Sequence, residues 1–130
     1  NKMTMRYLIL SNNNLLLRVA ADRIAYVASD GSYSVLTLIG GEEHTFSFNL
    51  SVFERHIEQQ LQSEAQGFMR IGRSLIVNSN YIYMVNLAKQ ELVLYDSGFK
   101  ERFVLQVPKE ALKALKSALE DSCNNRRSDV

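Results

Sequence analysis

The stretch Phe68-Met69-Arg70-Ile71-Gly72-Arg73-Ser74-Leu75-Ile76-Val77-Asn78 reads as two short apolar strands separated by a break at Gly72. Two arginines and several amide or hydroxyl side chains cluster in and around that break. A reading of the whole chain as mainly β follows if the flanking segments alternate with the same period of two.

They do. Upstream, Ile24, Tyr26 and Ala28 alternate with Ala25 and Val27, Asp30-Gly31-Ser32 makes a turn, and Tyr33 to Ile39 returns as a β-branched, apolar strand. Gly40-Gly41 turns the chain again, and His44, Phe46 and Phe48 then alternate with Thr45, Ser47 and Asn49 to complete a three-strand meander. Downstream, Tyr81 to Val85 is a strand. Leu92 to Tyr95, the turn Asp96-Ser97-Gly98 and Phe99 to Val107 form a last hairpin, with Phe103, Leu105 and Val107 facing one way.

Two segments change period. Ser51 with Glu54 matches a capping box, and Phe53, Ile57 and Leu61 recur every four residues opposite Glu54, Glu58, Gln59 and Gln62, which predicts a surface helix from Ser51 to Ser63. Pro108 suits the first position of a second helix, where Leu112, Leu115 and Leu119 make an apolar stripe. On another face of that helix Lys109, Lys113 and Lys116 fall at i, i+4 and i+7. These three ammoniums suit a solubilising face near a helix C-terminus as well as a polyanion. The predicted fold class is mainly β, packed antiparallel sheets with two short helices. Residues 1–21 are an N-terminal strand or linker, 22–119 the domain, and 120–130, which lack periodicity and apolar content, a flexible tail.

Length and composition agree with one globular domain: 130 residues, 46% hydrophobic and 22% charged. A multidomain enzyme is excluded. No window approaches the roughly 18 to 20 apolar residues of a membrane span, and Asn1 to Leu10 lack the zones of a signal peptide, so the expected location is cytoplasmic. The single Cys123 has no partner for an internal disulfide or a thiolate metal site.

The formal net charge of +1 is unevenly spread: residues 65–119 hold eight basic and four acidic side chains, and residues 1–64 hold five and seven. Between Ala65 and Gln90 there are Arg70, Arg73 and Lys89 and no carboxylate, so a polyanion meets no local repulsion there. Catalytic groups are scarce. His44 lies beside Phe46 and Phe48, and His56 lies on a helix next to Glu-rich positions; neither has a Cys or His at ligand spacing. Phosphate-loop patterns are missing, so no enzyme, cofactor or metal is expected.

The run from Phe68 to Asn80 admits two readings. Arg supplies a rigid fork for phosphates or guanine, and Asn pairs with adenine, which makes it a reading head. Alternatively, Asn78 and Ser79 shape a turn through backbone hydrogen bonds and the arginines are merely exposed.

At this run the sequence resembles the LytTR family, bacterial DNA-binding domains found mostly at the C-termini of response regulators of two-component systems. The family string, roughly Phe, any residue, Arg, apolar, His, Arg or Lys, Ser, apolar residues, Asn, is followed from Phe68 to Asn78 at nearly every position. A second string is echoed by Ile24-Ala25-Tyr26-Val27-Ala28-Ser29-Asp30-Gly31-Ser32-Tyr33, and the closing strand and basic helix by Leu105-Gln106-Val107-Pro108-Lys109. The resemblance spans about Asp22 to Leu119.

It implies a LytTR-like β sandwich that contacts double-stranded DNA through loops entering the major groove. Carried over, the contacting positions are Ser32 and Tyr33, then Gly72 and Arg73 with Arg70, Ser74 and Asn78 around them, then Lys109 and Lys113. Gly72 stands where His is usual and Pro108 where Ser is usual, so Arg73 is expected to make the main base contact and Arg70 to brace the loop or meet a phosphate. The resemblance also implies a transcriptional regulator acting on paired direct repeats, as a homodimer on DNA, with a receiver or sensor protein as partner. The roughly 20 residues ahead of the resemblance fall short of the smallest domains, of about 50 residues, so no phosphoacceptor domain is expected in this sequence. The competing reading is a non-catalytic protein-interaction module on the same scaffold, anchored by Tyr81, Tyr83 and Tyr95.

Overall fold

In the computed structural model, which describes residues 6–128, ten strands and two α-helices follow one another in three antiparallel sheets. β1 (Tyr7–Ser11) and β2 (Leu16–Ala20) form a hairpin. β3 (Ile24–Asp30), β4 (Tyr33–Leu38), β5 (Glu43–Phe46), β6 (Phe68–Ile71) and β7 (Leu75–Asn78) form the central sheet in the order β5-β4-β3-β7-β6. β8 (Ile82–Asn86), β9 (Glu91–Leu94) and β10 (Phe103–Gln106) form the third, with β9 in its middle. α1 (Leu50–Leu61) connects β5 to β6, and α2 (Lys109–Ser128) follows β10. The mainly β reading with packed antiparallel sheets and two helices is what the chain adopts.

The central sheet has a core on each face. On one, Val27, Leu36 and Ile76 meet Leu8, Leu10 and Val19 of the hairpin and Phe53, Ile57 and Leu61 of α1. On the other, Ala25, Leu75 and Val77 meet Leu92 and Leu94 of β9, Phe99, and Leu112 and Leu115 of α2. Burial of a side chain such as Phe53, fully enclosed, contributes about 1.5–3 kcal/mol. Residues 7–20 are thus a structural layer, not a linker. The free edge of β1 is covered by α1: the Gln60 carboxamide accepts from the Ile9 N–H at 2.7 Å and donates to the Ile9 carbonyl at 3.0 Å.

Four local features differ from the sequence reading. In β3 the register shifts between Ile24 and Tyr26, so strict alternation fails: Ile24 and Val27 face the α1 side and Ala25 and Tyr26 both face the other. α1 is capped two residues ahead of the expected Ser51 and starts at Leu50, because the Asn49 side chain accepts from the Val52 N–H at 3.0 Å, which frees Glu54 for another partner. Phe99 to Arg102 is not strand; β10 starts at Phe103, and Phe99 instead packs edge-on against Tyr81, Tyr95 and Phe103.

The fourth is α2, which starts one residue after Pro108 and runs to Ser128, so residues 121–128, read as a tail, carry helical backbone. Its stripe buries Leu112 and Leu115 but leaves Leu119 exposed; the helix outruns the surface it packs on. Residues 129 and 130 lie outside the described residues. No helix among the described residues is long and apolar enough to cross a membrane.

Candidate nucleic-acid interface

The antiparallel order of the central sheet dictates which turns share an end. β3 and β4 are joined by Gly31 and Ser32 between the paired Asp30 and Tyr33, and Gly31, at φ +65°, takes the positive φ that the tight reversal needs. Ser32 is exposed, and Tyr33 is 50% exposed. β6 and β7 are joined by Gly72, Arg73 and Ser74, all exposed, with Gly72 at φ +63°.

Because β7 pairs antiparallel with β3, these two turns emerge side by side. The Ser29 N–H donates to the Ser74 carbonyl at 2.8 Å, just past the last ladder pair of Ala28 with Leu75. The start of α2 joins them: a Cβ built on Gly72 would lie 3.9 Å from the Ala111 Cβ. Strand order and helix packing therefore bring residues from three distant stretches of chain to one end of the molecule.

Arg70 is exposed, but its fork is engaged within the protein. One guanidinium nitrogen donates to Glu54 Oε1 at 2.9 Å and another to the Arg73 carbonyl at 3.1 Å, so it bridges α1 to the turn. The Arg73 side chain itself is exposed and has no hydrogen-bond partner among the described residues. In α2 the Leu112 N–H bonds the Pro108 carbonyl at 3.1 Å, so the proline needs no donor of its own there. Lys109 and Lys113 are exposed. Lys113 lies 3.7 Å from Glu110, and Lys116 pairs more closely with Glu120, at 2.6 Å; exposed pairs of this kind are weak enough for a phosphate to displace.

Asn78 is the position the structure removes from the surface. It is 2% exposed, its amide nitrogen donates to the carbonyls of Ile24 at 3.0 Å and Ala21 at 3.5 Å, and its oxygen accepts from the Asn80 N–H at 3.2 Å. The turn-shaping reading of this residue is the one its surroundings support, and it has no face left for a base. Conversely, the sequence reading passed over the β1–β2 turn. Asn12, Asn13 and Asn14 are exposed there, and Tyr33 and Asn12 line one cleft. Three successive asparagines are a turn signal that marked the place.

The other reactive side chains lie elsewhere. His44 pairs with the Glu42 carboxylate, and His56 sits 3.4 Å from the Gln60 amide against the Phe48 ring. Among the described residues no group of three His, Cys, Asp or Glu is placed to hold a metal. Of the tyrosines, Tyr81 donates its hydroxyl to the Asp22 carbonyl. Burial, and then the carboxylates of Asp22 and Asp96, hold its phenol above the ordinary tyrosine range. Tyr83 is exposed and, with Tyr95, lies under the Arg102 guanidinium at 4.9 and 5.3 Å.

The chain superposes on a structure described as the LytTr DNA-binding domain of a methyl-accepting/DNA response regulator from Bacillus cereus, with a TM-score of 0.59, covering 88% of this chain and 96% of that one at 19% identity. That likeness is one of fold. No curated protein matches. The family model for the LytTr DNA-binding domain matches residues 14–120, which takes in the hairpin strand β2, the central and third sheets and the packed part of α2. The chain belongs to the LytTr DNA-binding domain family.

Proposed function

We propose that this protein is a sequence-specific, double-stranded DNA-binding transcriptional regulator whose turns enter the major groove from one end of the central sheet. The observation that carries this reading is the convergence there of the Gly31–Tyr33 turn, the Gly72–Ser74 turn and the first turn of α2. In this arrangement Arg73 makes the main base contact, flanked by Ser32, Tyr33 and Ser74, with the small Gly72 allowing close approach. Lys109 and Lys113 hold phosphates, and Arg70 positions Arg73. Residues 22–119 carry all of these contacts. Two copies act on paired direct repeats, under a receiver or sensor protein.

The test is selection of bound sequences from a random duplex pool with wild type, Arg73→Ala and Lys113→Ala at about 150 mM salt, where long-range attraction is screened. Arg73→Ala is expected to flatten the motif at the positions it reads, a loss of about 1–3 kcal/mol of discrimination. Lys113→Ala is expected to weaken all sequences alike and to lower the salt slope by about 0.9. Equal loss of specificity from both would overturn this division.

A second reading, a protein-interaction surface on the third sheet, is favoured by the exposure of Tyr83, Met84 and Val104 there. A salt-insensitive protein complex abolished by Tyr83→Ala would support it over DNA binding.

A further inference from the structure

We propose that the β1–β2 turn is a further reading surface for the duplex, with Asn13 and Asn14 contacting base pairs on the flank beyond the Tyr33 turn. This rests on the DNA-binding reading above and extends it to residues outside every motif that carried it.

The turn is fastened from within. Asn12 Oδ1 accepts from the N–H groups of Asn14 at 2.9 Å and Leu15 at 2.8 Å, and the Asn12 N–H donates to the Leu15 carbonyl at 2.9 Å. Asn12 is thereby occupied with the backbone. The carboxamides of Asn13 and Asn14 are left exposed, with no hydrogen-bond partner among the described residues. A preordered turn that presents unpaired amides loses little freedom when they find a partner.

Its place in the fold puts the turn that carries them beside the Tyr33 turn. A cleft of about 320 Å³ has Ser11, Asn12 and Leu15 on one wall and Tyr33, Ser47 and Phe48 on the other. The Tyr33 turn is joined to the Arg73 turn by the Ser29–Ser74 bond, and the Arg73 turn abuts Ala111. The four surfaces are linked neighbour to neighbour, from the asparagine turn to the start of α2. No carboxylate occurs between Asn1 and Ala21, and none lines the cleft, so the phosphate backbone meets no repulsion there.

The chemistry and the spacing both fit base pairs. A carboxamide offers a donor and an acceptor side by side, the complement of adenine N6 and N7 in the major groove. Packed layers lie about 10 Å apart, roughly three base-pair steps of 3.4 Å. Asn13 and Asn14 therefore reach about three base pairs past those met by Tyr33.

The experiment is selection from a random duplex pool with the whole chain as wild type, as Asn13→Ala/Asn14→Ala and as Arg73→Ala. The double variant is expected to lose preference over a block of about three base pairs at one flank, away from the block blurred by Arg73→Ala, and to bind the wild-type motif about tenfold less tightly. Selection of the full wild-type motif at wild-type affinity, while Arg73→Ala still blurs it, would overturn the proposal and leave the DNA-binding reading standing. An even loss of affinity with the flank preference intact would assign the turn to phosphates and overturn base reading. A wild type that enriches nothing would overturn both. Should the alanine variant melt early, Asn13→Asp/Asn14→Asp supplies the test: it keeps turn-forming side chains and is expected to lose more than tenfold in affinity at an unchanged melting temperature, and unchanged affinity would overturn the proposal.

Discussion

The backbone N–H of Ser29 donates to the carbonyl of Ser74 at 2.8 Å, and this bond extends the β3–β7 ladder one step past its last side-chain pair. It ties the turn bearing Tyr33 to the turn bearing Arg73 through main chain alone. The distance between the two is thus set by strand pairing, which surface substitutions do not disturb. What a substitution at either turn changes is the group presented, not the place where it is presented.

Arg70 is where this rule meets its limit, because it holds the Arg73 turn by a side chain. Arg70→Ala is expected to cost about 1 kcal/mol of stability, the small figure reflecting a pair that solvent partly screens, and to blur the positions that Arg73→Ala blurs. Arg70→Lys keeps the charge without the two-nitrogen fork and should behave more like the alanine variant. Urea titration with sequence selection checks both; a lysine variant with wild-type preference would show that charge alone suffices.

Gly72 sits at φ +63°, and an added Cβ would meet Ala111 Cβ at 3.9 Å, an ordinary van der Waals contact. The cost of a side chain there is in the backbone rather than in a clash. Gly72→Ala is expected to lose about 1 kcal/mol, and Gly72→Asn less, since asparagine tolerates the left-handed region. Urea midpoints should fall in the order Gly, Asn, Ala. Equal midpoints for the two variants would locate the cost elsewhere.

Asn78 separates structure from recognition within the same motif. Asn78→Ala strands the buried Ile24 carbonyl and the Asn80 N–H and should cost about 2 kcal/mol or more. Its selected DNA motif should match that of the wild type when both are assayed well below their melting temperatures. A changed motif at intact fold would return Asn78 to the reading surface.

Tyr81 gives the fold an alkaline limit. Its phenol is held above the ordinary tyrosine range by burial and by Asp22 and Asp96, so the folded state favours the protonated form. That contribution is complete below the unfolded pKa of about 10 and is lost as pH rises through the higher folded value. Tyr81→Phe is expected to lower stability by about 1 kcal/mol at pH 7, through loss of the bond to the Asp22 carbonyl, and to flatten the decline above pH 10. Melting temperatures from pH 7 to 11 measure both effects; parallel curves for the two proteins would exclude Tyr81 as the titrating group.

The legible parts of the fold were those written over a few neighbouring residues. The β-branched, apolar run of β4, the alternation of β5, the turn glycines Gly31 and Gly72 and the four-residue spacing of Phe53, Ile57 and Leu61 all express local conformational preference, and all appear in the structure where the pattern put them. The family string from Phe68 to Asn78 located the β6–β7 turn in the same way.

By itself the sequence determined the fold class, the first helix, most of the strands and the family, because short-range backbone preferences and apolar periodicity are properties of adjacent residues. The tertiary structure decided the rest. The register shift at Ala25 and Tyr26 depends on what each face of β3 packs against. Asn78 became structural because carbonyls more than fifty residues away needed donors, and Glu54, freed when Asn49 took the cap, pairs with Arg70 sixteen residues on. The meeting of Asn12, Tyr33, Arg73 and Ala111 at one end follows from strand order and layer packing, which distant parts of the chain settle together and no local pattern records.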